Sequence, residues 1–206
     1  CDRYGVHLIA DEIAVGFGRT GTLFACEQSG ITPDFMCLSK GLTAGYLPLS
    51  VVLTTDDVYN AFYDDYETLR AFLHSHSYTG NPIGCAVALA TLDIFRDDDV
   101  INANKALSRC MTESVAHLAD HPNVGDIRQH GMTMAIEMVK DKASKTPFPW
   151  QERRGIRVYK HSLTRQALLR PLGNVLYFMP PYVITEEQIR HLAQVATEGI
   201  EIAVKD

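Results

Sequence analysis

Val6-His7-Leu8-Ile9-Ala10-Asp11-Glu12 and, further along, Phe35-Met36-Cys37-Leu38-Ser39-Lys40-Gly41 are the two segments whose reading decides the fold. Val6 to Ala10 and Phe35 to Leu38 are short, nearly continuous apolar runs. That is the pattern of parallel strands covered on both faces, although a buried helix segment shows it too. Each run leads into a charged residue, Asp11 in the first and, after Ser39, Lys40 in the second. The residues between them suffice for a crossover with a short helix. As neighbouring parallel strands, the two runs bring Asp11 and Lys40 out on one carboxyl edge of the sheet, where open α/β folds bind ligands.

A carboxylate and an amine at one edge suit a cofactor with a basic ring nitrogen and an aldehyde, and pyridoxal phosphate has both. The carboxylate keeps the ring nitrogen protonated so that the ring accepts electrons, while a desolvated lysine loses its proton and condenses with the aldehyde. Three other readings compete. Gly16-Phe17-Gly18-Arg19-Thr20-Gly21 is formally a G-x-G-x-x-G dinucleotide turn, but the two carboxylates just before it would repel a pyrophosphate. Apolar residues followed by Asp-Glu resemble the magnesium strand of a P-loop ATPase, yet no G-x-x-x-x-G-K-[ST] occurs in the chain. An ordinary strand-end ion pair between Asp11 and Lys40 accounts for the charges but not for the glycine-rich turn.

The same residues carry a resemblance. Asp11-Glu12-Ile13-Ala14-Val15-Gly16-Phe17-Gly18-Arg19-Thr20-Gly21, then Pro33-Asp34 and Leu38-Ser39-Lys40-Gly41, resemble the signature of class III aminotransferases, the fold-type I pyridoxal phosphate enzymes. The resemblance implies that Lys40 is the cofactor lysine and that Asp11 holds the pyridinium. Ala14 lies where many members have glutamine and is left out of the catalytic set. The chain opens with Cys1 a few residues before a core strand and is expected to be the C-terminal half of such an enzyme. It is then expected neither to bind the cofactor tightly nor to catalyse by itself.

With 206 residues and 46% hydrophobic content the chain can bury a real core, as one domain or two modest ones. A net charge of −6 leaves no basic footprint for nucleic acid or anionic membrane, and no apolar run is long enough to span a bilayer. Partners are expected to be small molecules or other protein chains. Five cysteines without a C-x-x-C suit a reducing compartment, so a cytoplasmic location is expected.

After Lys40, Gly41 and Gly45 let the backbone approach a bulky ligand, which makes Gly41 a candidate substrate contact. Leu49 to Thr54 reads as a third strand, Asp56 to Phe62 as a helix start, and Tyr63 to Leu73 has no period. In His74-Ser75-His76-Ser77-Tyr78-Thr79-Gly80-Asn81-Pro82, Asn81 is a cap and Pro82 a first helical residue, so Ile83 to Phe95 is expected to be a buried helix. The bland reading is a well-capped helix with spare hydroxyls. The class III resemblance instead implies that Ser77 reaches the cofactor phosphate of a partner subunit, hence a homodimer with shared active sites. His74 and His76 are read as loop residues, since two histidines make a poor metal site.

Asp97-Asp98-Asp99 reads as capping charge before a long helix, Val100 to Ala119. The boundary is placed there, with residues 1–96 in a mostly parallel α/β large domain and 97–206 in a smaller α+β domain. Val124 to Met138 alternates as antiparallel strands, Lys140 to Trp150 is a loop, Gly155 to Ala167 an amphipathic helix, and Thr185 with Gln188 opens a last helix as a capping box. Between them, Arg170-Pro171-Leu172-Gly173 followed by Tyr177-Phe178-Met179-Pro180-Pro181-Tyr182 is similar to the 8-amino-7-oxononanoate aminotransferases of biotin synthesis. That resemblance implies that Arg170 clamps the carboxylate of 8-amino-7-oxononanoate, with S-adenosylmethionine or lysine as amino donor. The alternatives are an arginine packed on a surface strand, another ω-amino acid aminotransferase, and a catalytically silent chain that only dimerises.

Overall fold

The computed structural model describes residues 1–205, which divide into two compact units, one of residues 1–101 and one that begins at Asn102. In the first, β1 (Ile9–Asp11), β2 (Phe35–Leu38) and β3 (Val51–Thr54) form a three-stranded sheet in that order. β1 and β2 are parallel, as expected, while β3 is antiparallel to β2, with Leu38 opposite Val51. The first strand begins later than the apolar run suggests. Asp34 explains this: its carboxylate accepts from the Leu8 N–H at 2.7 Å, taking the place of a ladder acceptor at the strand's entry.

Helix α1 (Asp56–Asn60) is capped by Thr55, and α2 (Pro82–Asp97) by Asn81, whose side chain accepts from the Ile83 N–H at 3.1 Å. Phe17, Leu38, Leu42 and Ala88 form the core of this unit, with Leu23, Phe24, Met36, Leu49, Val51 and Phe95 packed around it. Two expectations fail here. Ile9 on β1 is 63% exposed, so that strand is not covered on both faces, and α2 is not buried, since Leu89 is 64% exposed. Only a stripe of small residues on α2, Gly84, Ala88 and Thr91, is buried. Asp97 and Asp98 also differ from their reading. Asp97 ends α2 and takes a forked pair of hydrogen bonds from Arg96 at 2.7 and 3.1 Å, and Asp98 is the C-cap of that helix.

In the second unit, helix α3 (Val100–Val115) leads through a 3-10 turn to β4 (Val124–His130) and β5 (Thr133–Asp141). The expected loop that follows contains a two-residue strand, β6 (Thr146–Pro147), paired with β5. After α4 (Arg154–Thr164), β7 (Arg170–Leu172) and β8 (Val175–Phe178) form a hairpin, and α5 (Glu186–Ala203) closes the unit. The expected capping box is present: Thr185 Oγ1 accepts from the Gln188 N–H while Gln188 Oε1 accepts from that of Thr185. The sheet order is β4-β5-β8-β7. Met134, Ile136, Leu176 and Phe178 alternate onto one face and bury it with Met111, Ile189, Val195 and Ile200 of the helices.

Helix α5 is fastened to α4 by a cluster of charges. Glu198 accepts from His161 at 3.0 Å, from Arg165 at 2.6 Å and from Gln194 at 3.0 Å. The His161 hydrogen bond is the main cause holding its carboxyl below the ordinary 4.5. A depressed carboxyl stabilises the fold above its ordinary value, and that stabilisation is lost as pH falls through the depressed one. Glu198→Gln should therefore lower the thermal midpoint at pH 7, and the deficit should shrink as pH falls below the ordinary carboxyl value of 4.5. Thermal melts of both chains across that range check this; a deficit independent of pH would contradict it.

Candidate active site

The register of β1 and β2 sets the site. Ile9 lies opposite Phe35, Ala10 opposite Met36 and Asp11 opposite Cys37, so Asp11 ends β1 at the edge where β2 runs on through Ser39 to Lys40. Both side chains are exposed. The Asp11 carboxylate accepts from the Ile13 N–H at 3.0 Å, which turns it along its own loop. Among the described residues neither Asp11 nor Lys40 has an ion-pair partner, so the strand-end ion pair is not what these charges form. An unpaired carboxylate and an unpaired primary amine at one sheet edge are the donor set that a basic ring nitrogen and an aldehyde require.

The loops carrying the two groups interlock. Phe17, in the glycine-rich turn after Asp11, has a left-handed backbone with φ +56° and is 2% exposed. It packs edge-on to Phe24 with ring centroids 5.6 Å apart, and its flank fills the space beside Gly41. A Cβ at Gly41 would lie 2.7 Å from the Phe17 Cβ and 3.0 Å from its ring. The close approach that the structure shows at Gly41 is to Phe17. Lys40, immediately before it, is left-handed without being glycine, with φ +41°. Such a conformation costs on the order of 1–3 kcal/mol and persists where its surroundings over-determine it.

Glu12 has a role that its neighbour's motif hides. It is 2% exposed, and its carboxylate accepts from the backbone N–H groups of Ala25 at 2.9 Å and Cys26 at 2.7 Å. It anchors the 3-10 turn Ala25–Ser29 and leaves Asp11 as the acid facing outward. Alternation along the strand was the available signal, because adjacent residues point to opposite faces. Burial, reinforced by Glu12, pushes the Cys26 thiol up.

Ser77 lies exposed in the turn before α2, where His76 donates its backbone N–H to Thr79 Oγ1 at 3.0 Å and accepts from the Tyr78 N–H on Nδ1 at 3.1 Å. Ser77 itself keeps its hydroxyl free of these bonds. Ala14 is exposed as well.

Arg170 belongs to the second unit. It opens β7, and the register Arg170–Tyr177–Ala135–Arg128 puts all four on the sheet face opposite the core. Arg128 donates from Nη1 to both Asp126 and Glu137, each at 2.8 Å. Among the described residues, Arg170, exposed on the same face, has no such partner. Gly173, with φ +62°, makes the two-residue turn that brings β8 back alongside it. A groove of about 370 Å³ on this unit, lined by Cys110, Glu113, His117 and Arg190 among others, includes none of the predicted site residues.

With this geometry in hand, comparison with known proteins is decisive about class. The chain belongs to the class III aminotransferases, whose family model matches residues 1–200. Among curated relatives it is 48% identical over 204 residues to the adenosylmethionine-8-amino-7-oxononanoate aminotransferase of Geobacter sulfurreducens, covering 99% of this chain and 44% of that protein. The crystal structure of the like-named enzyme from Methanocaldococcus jannaschii superposes with a TM-score of 0.93 at 40% identity, covering 98% of this chain and 47% of that one. An (S)-enantioselective omega-transaminase from Thermomicrobium roseum gives 0.91 at 32% identity, covering 99% and 45%. The chain thus spans less than half the length of these relatives. Among the described residues, no helix is long and apolar enough to cross a membrane.

Because Gly41 has backbone-close contact with Phe17, Gly41→Ala should overpack the interlock and destabilise the first unit by about 1–3 kcal/mol. Urea denaturation followed by circular dichroism measures this, and a neutral Gly41→Ala would show that the Phe17 contact is loose.

Proposed function

We propose that the full-length protein is a pyridoxal-phosphate-dependent aminotransferase converting 8-amino-7-oxononanoate to 7,8-diaminononanoate in biotin biosynthesis, with S-adenosylmethionine as amino donor. The observation that carries the reading is the pairing of unbridged Asp11 and Lys40 at one carboxyl edge of a parallel strand pair. The substrate is supported by relatives of that name across nearly the whole chain, 48% identical in one case and 45% in the Nitratidesulfovibrio vulgaris enzyme. The protein acts in the cytoplasm as a homodimer with shared active sites, and the boundary between its large and small domains lies near residue 96.

Pyridoxal phosphate, when bound, supplies an electron-accepting ring and an aldehyde carbon that receives and returns an amino group. Asp11 holds a proton on the ring nitrogen. Lys40 would hold the cofactor by condensation of its Nζ with the aldehyde, with loss of water, and once displaced by the donor's amine would be the group that carries protons to and from the substrate carbons. The Ser77 hydroxyl donates to the phosphate in the partner subunit. Gly41 lies beside the substrate, and Arg170 grips the acceptor's carboxylate with two parallel N–H groups, a geometry that lysine does not reproduce. A second reading, a different ω-amino acid aminotransferase, is favoured by the TM-score of 0.91 to the omega-transaminase and is separated by trying substrates.

Arg170→Ala in the full-length enzyme should remove a charge-assisted contact of roughly 1.5–3 kcal/mol. The half-reaction with the amino donor should survive, whereas kcat/KM for 8-amino-7-oxononanoate should fall by about one to two orders of magnitude. Stopped-flow absorbance of the two half-reactions separates these effects. An equal fall in both makes Arg170 structural, and no fall in either removes it from the substrate.

A further inference from the structure

We propose that Ser39 and Thr43 are positioning residues for Lys40, holding its strained backbone so that its amine meets the cofactor. The inference rests on the reading of Lys40 as the lysine that carries pyridoxal phosphate. Lys40 has φ +41° although it has a Cβ, and only its surroundings keep it there. Those surroundings are a closed loop. The 3-10 turn Lys40–Thr43 starts with the Leu42 N–H donating to Ser39 O at 2.9 Å and ends with the Ala44 N–H donating to Gly41 O at 3.2 Å. Each end is then tied to the segment that leads into β3. Ser39 donates its hydroxyl to Leu49 O at 2.7 Å, and Thr43 donates its own to Leu47 O at 2.6 Å. Leu47 and Leu49 lead directly into β3, whose Val51 is paired with Leu38 on β2. Two hydroxyl staples therefore fix the Lys40 turn to the two strands on which it hangs.

Of the two, Thr43 is the stronger candidate. It is 1% exposed and its acceptor residue Leu47 is half-buried, so water only partly replaces a lost hydroxyl there and the carbonyl is left short of a donor. Thr43 touches no cofactor in this role; it acts by denying the turn its relaxed, right-handed alternative. Valine has threonine's shape without the hydroxyl, and serine keeps the hydroxyl without the methyl, so the pair of substitutions separates the hydrogen bond from the packing.

The test is the rate at which the full-length apoenzyme covalently captures pyridoxal phosphate, followed by stopped-flow absorbance and corrected for folded fraction from thermal melts. Wild type, Thr43→Val, Thr43→Ser, Ser39→Ala and Lys40→Ala are compared. Thr43→Val should slow capture about tenfold and Ser39→Ala by a smaller factor, while Thr43→Ser stays within about twofold of wild type. If Lys40→Ala captures as wild type does, the reading of Lys40 itself falls. If capture depends on Lys40 but Thr43→Val matches wild type once folded fraction is corrected, the staples are structural only and the proposal is overturned. Should Thr43→Val not fold, Ser39→Ala decides: slowed capture supports the proposal and an unchanged rate overturns it.

Discussion

The contact between Phe17 and Gly41 is the constraint on which the site depends. Asp11 and Lys40 stand at the ends of separate strands, and pairing of β1 with β2 fixes only their level along the sheet. What fixes the loops beyond is a buried ring seated where Gly41 has no side chain. Both loops meet this contact with left-handed residues, Phe17 on one side and Lys40 on the other. Strain of that kind is stable when neighbours leave no alternative, and active sites are where it collects. The core around Phe17, Leu38, Leu42 and Ala88 is small, so much of its packing serves the geometry of these two loops.

The second unit solves a different problem with the same economy. One face of its sheet is driven into a methionine-rich core against α3 and α5, which leaves the other face for charge. On that open face Arg128 binds Asp126 and Glu137, and among the described residues Arg170 has no ion-pair partner. Arg154 illustrates the contrast. It is buried, lies over the Phe148 ring at 4.2 Å and donates to Ala203 O at 2.8 Å, securing the end of α5. A buried guanidinium with partners is architecture, whereas an exposed one on a short edge strand is available to an anion.

Much of this was legible in the residues because the relevant signals are local. The parallel pair, the Asn81 and Thr185 caps, the β4–β5 hairpin and the break after Leu38 follow from period and capping chemistry. Two things were not legible, and each is a matter of tertiary context. Apolar content in Ile83 to Phe95 says that a helix wants cover, but not which residues receive it; in this chain the buried stripe is Gly84, Ala88 and Thr91. Asp34 competing for the Leu8 N–H shortened β1, a side-chain contact across the sheet that no window of sequence reveals. Glu12 was hidden beside Asp11, although strand alternation alone sends one of the two inward.

The central claim is that the edge shared by β1 and β2 is a cofactor site with Lys40 as its covalent anchor. The most direct measurement is borohydride reduction of the full-length protein incubated with pyridoxal phosphate, followed by proteolysis and peptide mass mapping. The account predicts a single stoichiometric phosphopyridoxyl modification on Lys40. Modification concentrated on any other lysine, with Lys40 unmodified, would contradict it.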